Sequence, residues 1–147
     1  KVLLAAGPPL PDLPARLARY LSGYARGEPR SPDIPFDGRG LSPFDKRVLN
    51  ALWHIPFGST VTYGALAIAC GARGAARAVG QAVGRNRWSV IMPCHRVVAA
   101  GGGLGGFGAG LRIKQMLLRH EGLDPNALRP AKSLRLAPKG GPRWCAG

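Results

Sequence analysis

The run Pro93-Cys94-His95-Arg96 is the stretch of this chain best equipped for chemistry. A cysteine beside a histidine, among arginines, sits in a field that favours its thiolate, the nucleophilic form. Adjacent side chains of an extended chain point to opposite faces. A direct thiol–imidazole bond is awkward in that geometry, so proton exchange between Cys94 and His95 is expected to pass through a water. A histidine acting as base also needs an acceptor to orient it. Glu121, one of two glutamates in the sequence, ends a long acid-free stretch and is the candidate. The competing reading is packing: a Cys-His pair in a core, and a helix-end carboxylate paired with Arg96 or Arg119. Cysteines at 70, 94 and 145 form no CxxC and no even set, so neither a disulfide framework nor a metal site is expected, and no cofactor loop is evident.

The surrounding elements must position these groups. Ser42-Pro43-Phe44-Asp45 places Ser at an N-cap, Pro in the first turn and Asp three residues on, which starts a helix. Val48, Leu49, Leu52 and Trp53 recur at helical spacing until Pro56-Phe57-Gly58 ends the pattern. Thr62 caps a second helix from Tyr63 to Cys70, closed by Gly71. A third opens at Arg73 or Gly74 and runs through Ala75 to Val83. Two short helices joined by a glycine-containing turn have helix-turn-helix proportions. Ala76, Ala78, Gly80 and Ala82 leave the third helix almost bare, with Arg77 projecting, so it can lie close to another helix or to a ligand.

Val90-Ile91-Met92 is expected to run extended into Pro93, and Arg96-Val97-Val98 to form a short strand. Seven glycines among residues 101–110 make a loop whose backbone can approach a ligand. Leu111, Ile113, Leu117 and Leu118 mark the buried stripe of a last helix that Gly122 stops. Before Ser42, prolines at 8, 9, 11, 14, 29, 32 and 35 leave only Ala15–Tyr24 as a short helix. After Asp124, prolines and cations mix without periodicity. Residues 124–147 are expected to be a disordered basic tail, or alternatively an extra electrostatic contact with a polyanion. The chain thus divides into an N-terminal segment (1–42), a domain carrying the helices and the Cys-His pair (43–123), and the tail.

The 147 residues hold 21 Lys+Arg against 7 Asp+Glu, a net charge of +14. Residues 46–120 contain ten of those cations and no acid. Such a one-sign field attracts polyanions and repels acidic proteins. A generally basic surface is the plainer alternative, but nucleic acid is the expected partner. No apolar run approaches the roughly 18 residues of a membrane-spanning helix, and Val2–Ala6 is too short for a signal peptide's apolar stretch. A 46% hydrophobic content allows a core. The expectation is a monomer in a reducing cytoplasm, nucleoid-associated if prokaryotic, with no membrane contact.

Pro93-Cys94-His95-Arg96-Val97-Val98 resembles the active-site motif of the O6-alkylguanine–DNA alkyltransferases (methylated-DNA–protein-cysteine methyltransferases). The resemblance spans about Ser42 to Gly122. It includes Thr60-Val61-Thr62-Tyr63-Gly64, Ala75-Ala76-Arg77-Ala78-Val79-Gly80, Asn86 nine residues before His95, and His120-Glu121-Gly122. It implies a mainly α (α+β overall) fold with a winged-helix-like helix-turn-helix C-terminal domain; the family's longer N-terminal β-containing domain is expected to be truncated or diverged to a shortened segment here, since only some 42 residues precede the core. It also implies double-stranded DNA carrying alkylated bases as partner, and transfer without metal or cofactor.

In that family's scheme Cys94 accepts the alkyl group, once and irreversibly, and His95 works through a water with Glu121 behind it. Tyr63 protonates the departing guanine and crowds the phosphate. Arg77 holds the place of the flipped base. Gly64, Ala75, Ala76, Ala78 and Gly80 lie along the minor groove, whose narrowness suits a bare helix. Asn86 braces the segment between recognition helix and nucleophile. Val97, Val98, Phe107 and Gly108 meet the base. Glu121→Gln is then expected to keep the fold and slow transfer. Gly106 and Gly108 stand where some members carry polar residues. The rival readings are a non-catalytic alkylated-DNA binder, against which Cys94 speaks, and a helix-turn-helix regulator of specific sequence.

Overall fold

In the computed structural model, residues 12–28, 32–137 and 140–145 are described; the readings at Pro8, Pro9, Pro11 and Pro29 lie outside them. The chain separates into two compact units, Lys1–Gly40 with Pro142–Gly147, and Leu41–Gly141. Helices dominate, and the strands are two residues each. No helix among the described residues is long and apolar enough to cross a membrane.

The smaller unit contains helix α1 (Leu13–Ala25), with Pro14 in its first turn, where a missing N–H costs nothing. Strand β1 (Pro35–Phe36) pairs in parallel with a strand formed by Arg143–Trp144 near the end of the chain, Phe36 opposite Trp144. Phe36 is fully buried, its ring centroid 6.0 Å from that of Trp144. Arg16 links Asp12 (2.7 Å) to Asp33 (2.8 Å).

The larger unit begins at Ser42, the N-cap of α2 (Pro43–Trp53). Ser42 accepts from the Asp45 N–H and Asp45 returns a bond to the Ser42 N–H, a complete capping box. Val48, Leu49 and Leu52 are fully buried, as their spacing requires. Next come β2 (Val61–Thr62), α3 (Tyr63–Ala69) and α4 (Ala76–Gly84), whose core side chains Leu66, Val79 and Ala82 lose all solvent contact. Thr62 accepts from the Ala65 N–H and so caps α3. Gly71 and Gly74, at φ +73° and +83°, shape the turn between the two helices. Arg85, just past α4, reaches back to Asp45 at 2.6 Å, tying the third helix to the first turn of α2. Strand β3 (Val97–Val98) lies parallel to β2, Val61 opposite Val97. Helix α5 (Leu111–His120) follows, and Arg143–Trp144 is β4.

Four expectations are corrected. Val90–Met92 is a turn: Val90 has φ +73° and the Met92 N–H bonds the Trp88 carbonyl at 2.7 Å. Its cause is Asn86, whose side chain holds both the Trp88 N–H and the Met92 carbonyl. Cys94–Arg96 is one 3₁₀ turn rather than extended chain, closed by the Arg96 N–H on the Pro93 carbonyl. A strand would put alternate side chains on opposite faces, whereas this turn directs Cys94 to Asn86 and brings both His95 and Arg96 to Glu121. The buried face of α5 consists of Lys114 and Leu118, while Leu111 and Ile113 are exposed. Finally, the segment after Asp124 is placed by main-chain pairing. Ala131 bridges Val61 and donates its N–H to the Thr60 carbonyl, and β4 pairs with β1. Backbone hydrogen bonds of this kind need no side-chain periodicity, so the sequence pattern does not announce them.

The Asp45 carboxylate serves both the cap and Arg85, whereas Ser42 serves only the cap. Asp45→Ala is expected to cost roughly 2 kcal/mol and Ser42→Ala about 1 kcal/mol. Urea unfolding of both variants checks this; equal losses would show that the link to Arg85 contributes nothing.

Candidate active site

Asn86, just beyond α4, sets the position of the nucleophile. Its Nδ2 donates to the Cys94 thiol at 3.1 Å and to the Met92 carbonyl at 3.0 Å, while its Oδ1 accepts from Trp88. One side chain therefore fixes the sulfur and the loop that leads to it. Ser89 Oγ lies 4.0 Å from the same sulfur. Cys94 is 6% exposed, so only a group inserted into the site can reach it.

His95 and Glu121 meet in the interior. His95 Nε2 lies 2.6 Å from Glu121 Oε1, and neither side chain has any solvent contact. Arg96, the next residue on the turn, donates Nε to Glu121 Oε2 at 2.9 Å and Nη2 to Oε1 at 2.9 Å. Its Nη1 donates to the Ile55 carbonyl at 2.6 Å. The Gly58 N–H supplies a further bond to Glu121 Oε2 at 3.0 Å. Burial raises a carboxyl's pKa, but the bonds from His95 and Arg96 and the guanidinium charge outweigh it and hold Glu121 down at about 2. Burial, opposed by Glu121 and assisted by the charges of Arg96 and Lys114, holds His95 below its ordinary value. The pair is therefore a carboxylate beside a neutral imidazole near pH 7. With Nε2 given to Glu121, proton traffic with the thiol must use Nδ1.

Lys114 is the residue that the sequence pattern missed. It is fully buried, and its Nζ donates to the carbonyls of Val97 (2.6 Å), Leu104 and Gly106 (3.2 Å). It pins the glycine loop to β3, and burial pulls its ammonium down to about 8. A cation at a buried helical position, followed four residues later by Leu118, was the available signal. Arg96 is the counter-charge of Glu121, as the packing reading expects of Arg96 or Arg119, and it shares that carboxylate with His95.

Tyr63 opens α3 and lies half-buried between α4 and the glycine loop. A Cβ on Gly80 would stand 3.7 Å from its ring, and one on Gly105 only 3.2 Å from its hydroxyl. Burial and the neighbouring Cys94 raise its pKa, which the Gly106 N–H partly offsets, so the phenol keeps its proton. Arg77 and Gly64 are exposed, and Ala75, Ala76, Ala78 and Gly80 are partly exposed, which leaves the α4 surface low. Val97 and Val98 are fully buried, and the Val97 carbonyl is committed to Lys114. Phe107 is partly exposed beside exposed Gly108, and Cβ positions on Gly106 and Gly108 would meet nothing.

The expectation that Glu121→Gln preserves the fold is corrected by Arg96. A glutamine leaves that buried guanidinium without its counter-charge, and the expected cost is on the order of 3 kcal/mol at neutral pH. Because the folded pKa lies near 2, below the ordinary 4.5, Glu121 stabilises fully above pH 4.5, and this contribution is lost as pH falls toward 2. Unfolding curves from pH 6 to about 2 should therefore fall more steeply for the wild type than for the variant. Parallel curves would assign the acid sensitivity elsewhere.

Comparison with known proteins follows the same lines. The family profile described as 6-O-methylguanine DNA methyltransferase, DNA binding domain, matches residues 43–123. A methylated-DNA–protein-cysteine methyltransferase of Mycolicibacterium paratuberculosis is 50% identical over 107 residues, 73% of this chain and 64% of that protein. Its counterpart in Methanosarcina acetivorans is 47% identical over 105 residues, 71% of this chain and 67% of its own. The chain thus spans about two thirds of the length of these relatives. The crystal structure of the Mycobacterium tuberculosis protein in complex with DNA matches with a TM-score of 0.68 at 45% identity, covering 73% of this chain and 66% of that one. The enzyme from the archaeon Pyrococcus kodakaraensis matches at 0.61 and 34% identity, covering 82% and 68%. With over half of its residues fitting the profile and its fold shared with solved members, the chain belongs to the O6-methylguanine–DNA methyltransferase family.

Proposed function

We propose that this chain repairs DNA by moving an alkyl group from O6-alkylguanine, and by extension O4-alkylthymine, irreversibly onto its own Cys94. One observation carries the reading: a single 3₁₀ turn presents a thiol held by Asn86 and, next to it, a buried imidazole held by a carboxylate. The name of the mycobacterial relative and the DNA in the complex of its Mycobacterium tuberculosis counterpart support the same substrate.

The steps follow from the groups present. An alkyl group on a stacked base is out of reach, so the nucleotide must leave the duplex, at a cost of a few kcal/mol that a wedge and phosphate contacts offset. Arg77, exposed on the low surface of α4, is the wedge; Ala75, Ala76, Ala78 and Gly80 let that helix sit deep in the minor groove, and Gly64 at the start of α3 lies along the same groove. Val97, Val98, Phe107 and Gly108 line the path of the extruded base. The Cys94 proton passes through a water to His95, and Glu121 stabilises the imidazolium. The thiolate attacks the alkyl carbon, a C–S bond forms and the C–O6 bond breaks. Its electron pair stays on the guanine, which takes a proton from Tyr63 and leaves neutral. The proton taken from Cys94 and held by His95 returns through water to the phenolate, so His95 and Tyr63 both end as they began. The thioether left on Cys94 carries no carbonyl for water to attack, unlike the acyl intermediate of a thiol hydrolase. The protein therefore turns over once. It acts as a monomer, without cofactor, in the reducing interior where DNA is kept, the nucleoid if the source is prokaryotic.

Duplex containing O6-methylguanine should yield one methyl per chain, located on Cys94 by peptide mass mapping, with Cys70 and Cys145 untouched. Cys94→Ser should bind the lesion and accept nothing. Several products per chain, or a methyl on another cysteine, would refute the reading. Sequence-specific binding without transfer would instead support a regulator. Arg77→Ala should slow repair of duplex at least tenfold, on the scale of about 1.4 kcal/mol, and leave reaction with free O6-benzylguanine unchanged. Equal losses on both substrates would remove Arg77 from the wedge role.

A further inference from the structure

The stretch from Asn126 to Ala137 carries Arg129, Lys132 and Arg135, all exposed, and no acidic residue follows Asp124 anywhere in the chain. Asp124 itself spends its carboxylate on the Asn126 N–H at 2.9 Å. The segment belongs to the same compact unit as the site and is anchored to it. Ala131 pairs with Val61 and donates to the Thr60 carbonyl at 2.8 Å. The Leu128 carbonyl lies so close to Gly102 that a Cβ there would meet it at 2.6 Å.

These anchors place the cations relative to the site. Val61 is flanked by Ala131 and by Val97, and the next residue, Thr62, caps the helix that begins with Tyr63. Gly102 lies in the turn just after β3, closed by the Ala99 N–H on the Gly103 carbonyl. The basic segment is therefore one strand away from the start of the helix-turn-helix and in contact with the loop that follows β3, the strand next after the nucleophile's turn. Its larger apolar side chains anchor it only weakly, since Leu128 and Leu134 are only partly buried and Leu136 is 36% exposed. The Ala131 main chain fixes the middle of the segment, and Arg129, Lys132 and Arg135, three residues apart, stand exposed around it. Three residues of chain span at most about 10 Å, comparable to three base steps along B-DNA at about 3.4 Å each.

We propose that Arg129, Lys132 and Arg135 form a second phosphate-binding strip that grips the DNA backbone beside the lesion, separate from the groove contact of α4. The strip rests on the repair reading above and adds the partner surface. It contributes affinity and no base recognition, because phosphate contacts position a protein without reading sequence.

The test compares the wild-type chain with Arg129→Gln/Lys132→Gln/Arg135→Gln by fluorescence anisotropy on a duplex with one O6-methylguanine, from about 50 to 200 mM salt. Losing three phosphate contacts should lower the salt slope by about 2.7, so that wild-type affinity falls about 40-fold more than the variant's over that range. Transfer from free O6-benzylguanine should be unchanged, which also shows the variant folded, and Arg129→Lys/Arg135→Lys should keep the wild-type slope. An unchanged slope in the glutamine variant overturns the strip while leaving the repair reading intact. A wild type that neither binds the duplex nor takes up methyl overturns both.

Discussion

The interior of the larger unit depends on one carboxylate. Glu121 receives Arg96, His95 and the Gly58 N–H, and it is the group that makes burying that guanidinium tolerable. An unpaired charge at that depth costs several kcal/mol, far more than a net hydrogen bond returns. The 75 residues before Glu121 contain no acid, and the nearby Asp124 spends its carboxylate on the Asn126 N–H. The constraint therefore closes the fold: α5 must end against the Cys94–Arg96 turn, and the loop at Gly58 must lie beside both.

The same economy of acids shapes the exterior. The larger unit has three carboxylates, Asp45, Glu121 and Asp124. Two of them are buried, Asp45 against its cap and Arg85, Glu121 against His95 and Arg96. Drawing negative charge inward leaves Arg77, Arg87, Arg112 and Arg119 exposed on a surface of nearly one sign. A charge distribution of this kind steers a polyanion toward the molecule before any specific contact forms.

Around the sulfur, precision comes from close backbone approach and local strain. Gly105, at φ +66°, lets the loop pass close to the Tyr63 phenol; a Cβ there would come within 3.1 Å of the ring and force the phenol or the loop to shift, at a backbone angle that side chains rarely adopt. Val90, a β-branched residue at φ +73°, occupies a conformation that costs on the order of 1–3 kcal/mol. Asn86 supplies the bonds that hold it, and the same amide reaches Cys94. Lys114 completes the arrangement from the other side by gripping the loop through three carbonyls. Loop, helix and nucleophile are thus fixed by polar groups that lie inside the unit.

Sequence alone determined the elements whose signals are local. The Ser42 cap, the Thr62 cap, the glycine turn between α3 and α4, the bare surface around Arg77 and the Cys-His pair are all set by residues within a turn of one another. Glu121 as the acceptor for His95 was also legible, because so few acids were available. Tertiary structure decided the rest. Periodicity says which residues share a helix face, but whether a cation on that face is buried depends on oxygens supplied from far away. Lys114 finds its carbonyl 17 residues back at Val97, and Arg96 finds Glu121 25 residues on and Ile55 41 residues back. The segment around Ala131 docks through its main chain, which every residue possesses, so its composition reads as a loose tail. Local rules act on side-chain pattern; the burial of charge and the pairing of backbone are settled only when distant segments meet.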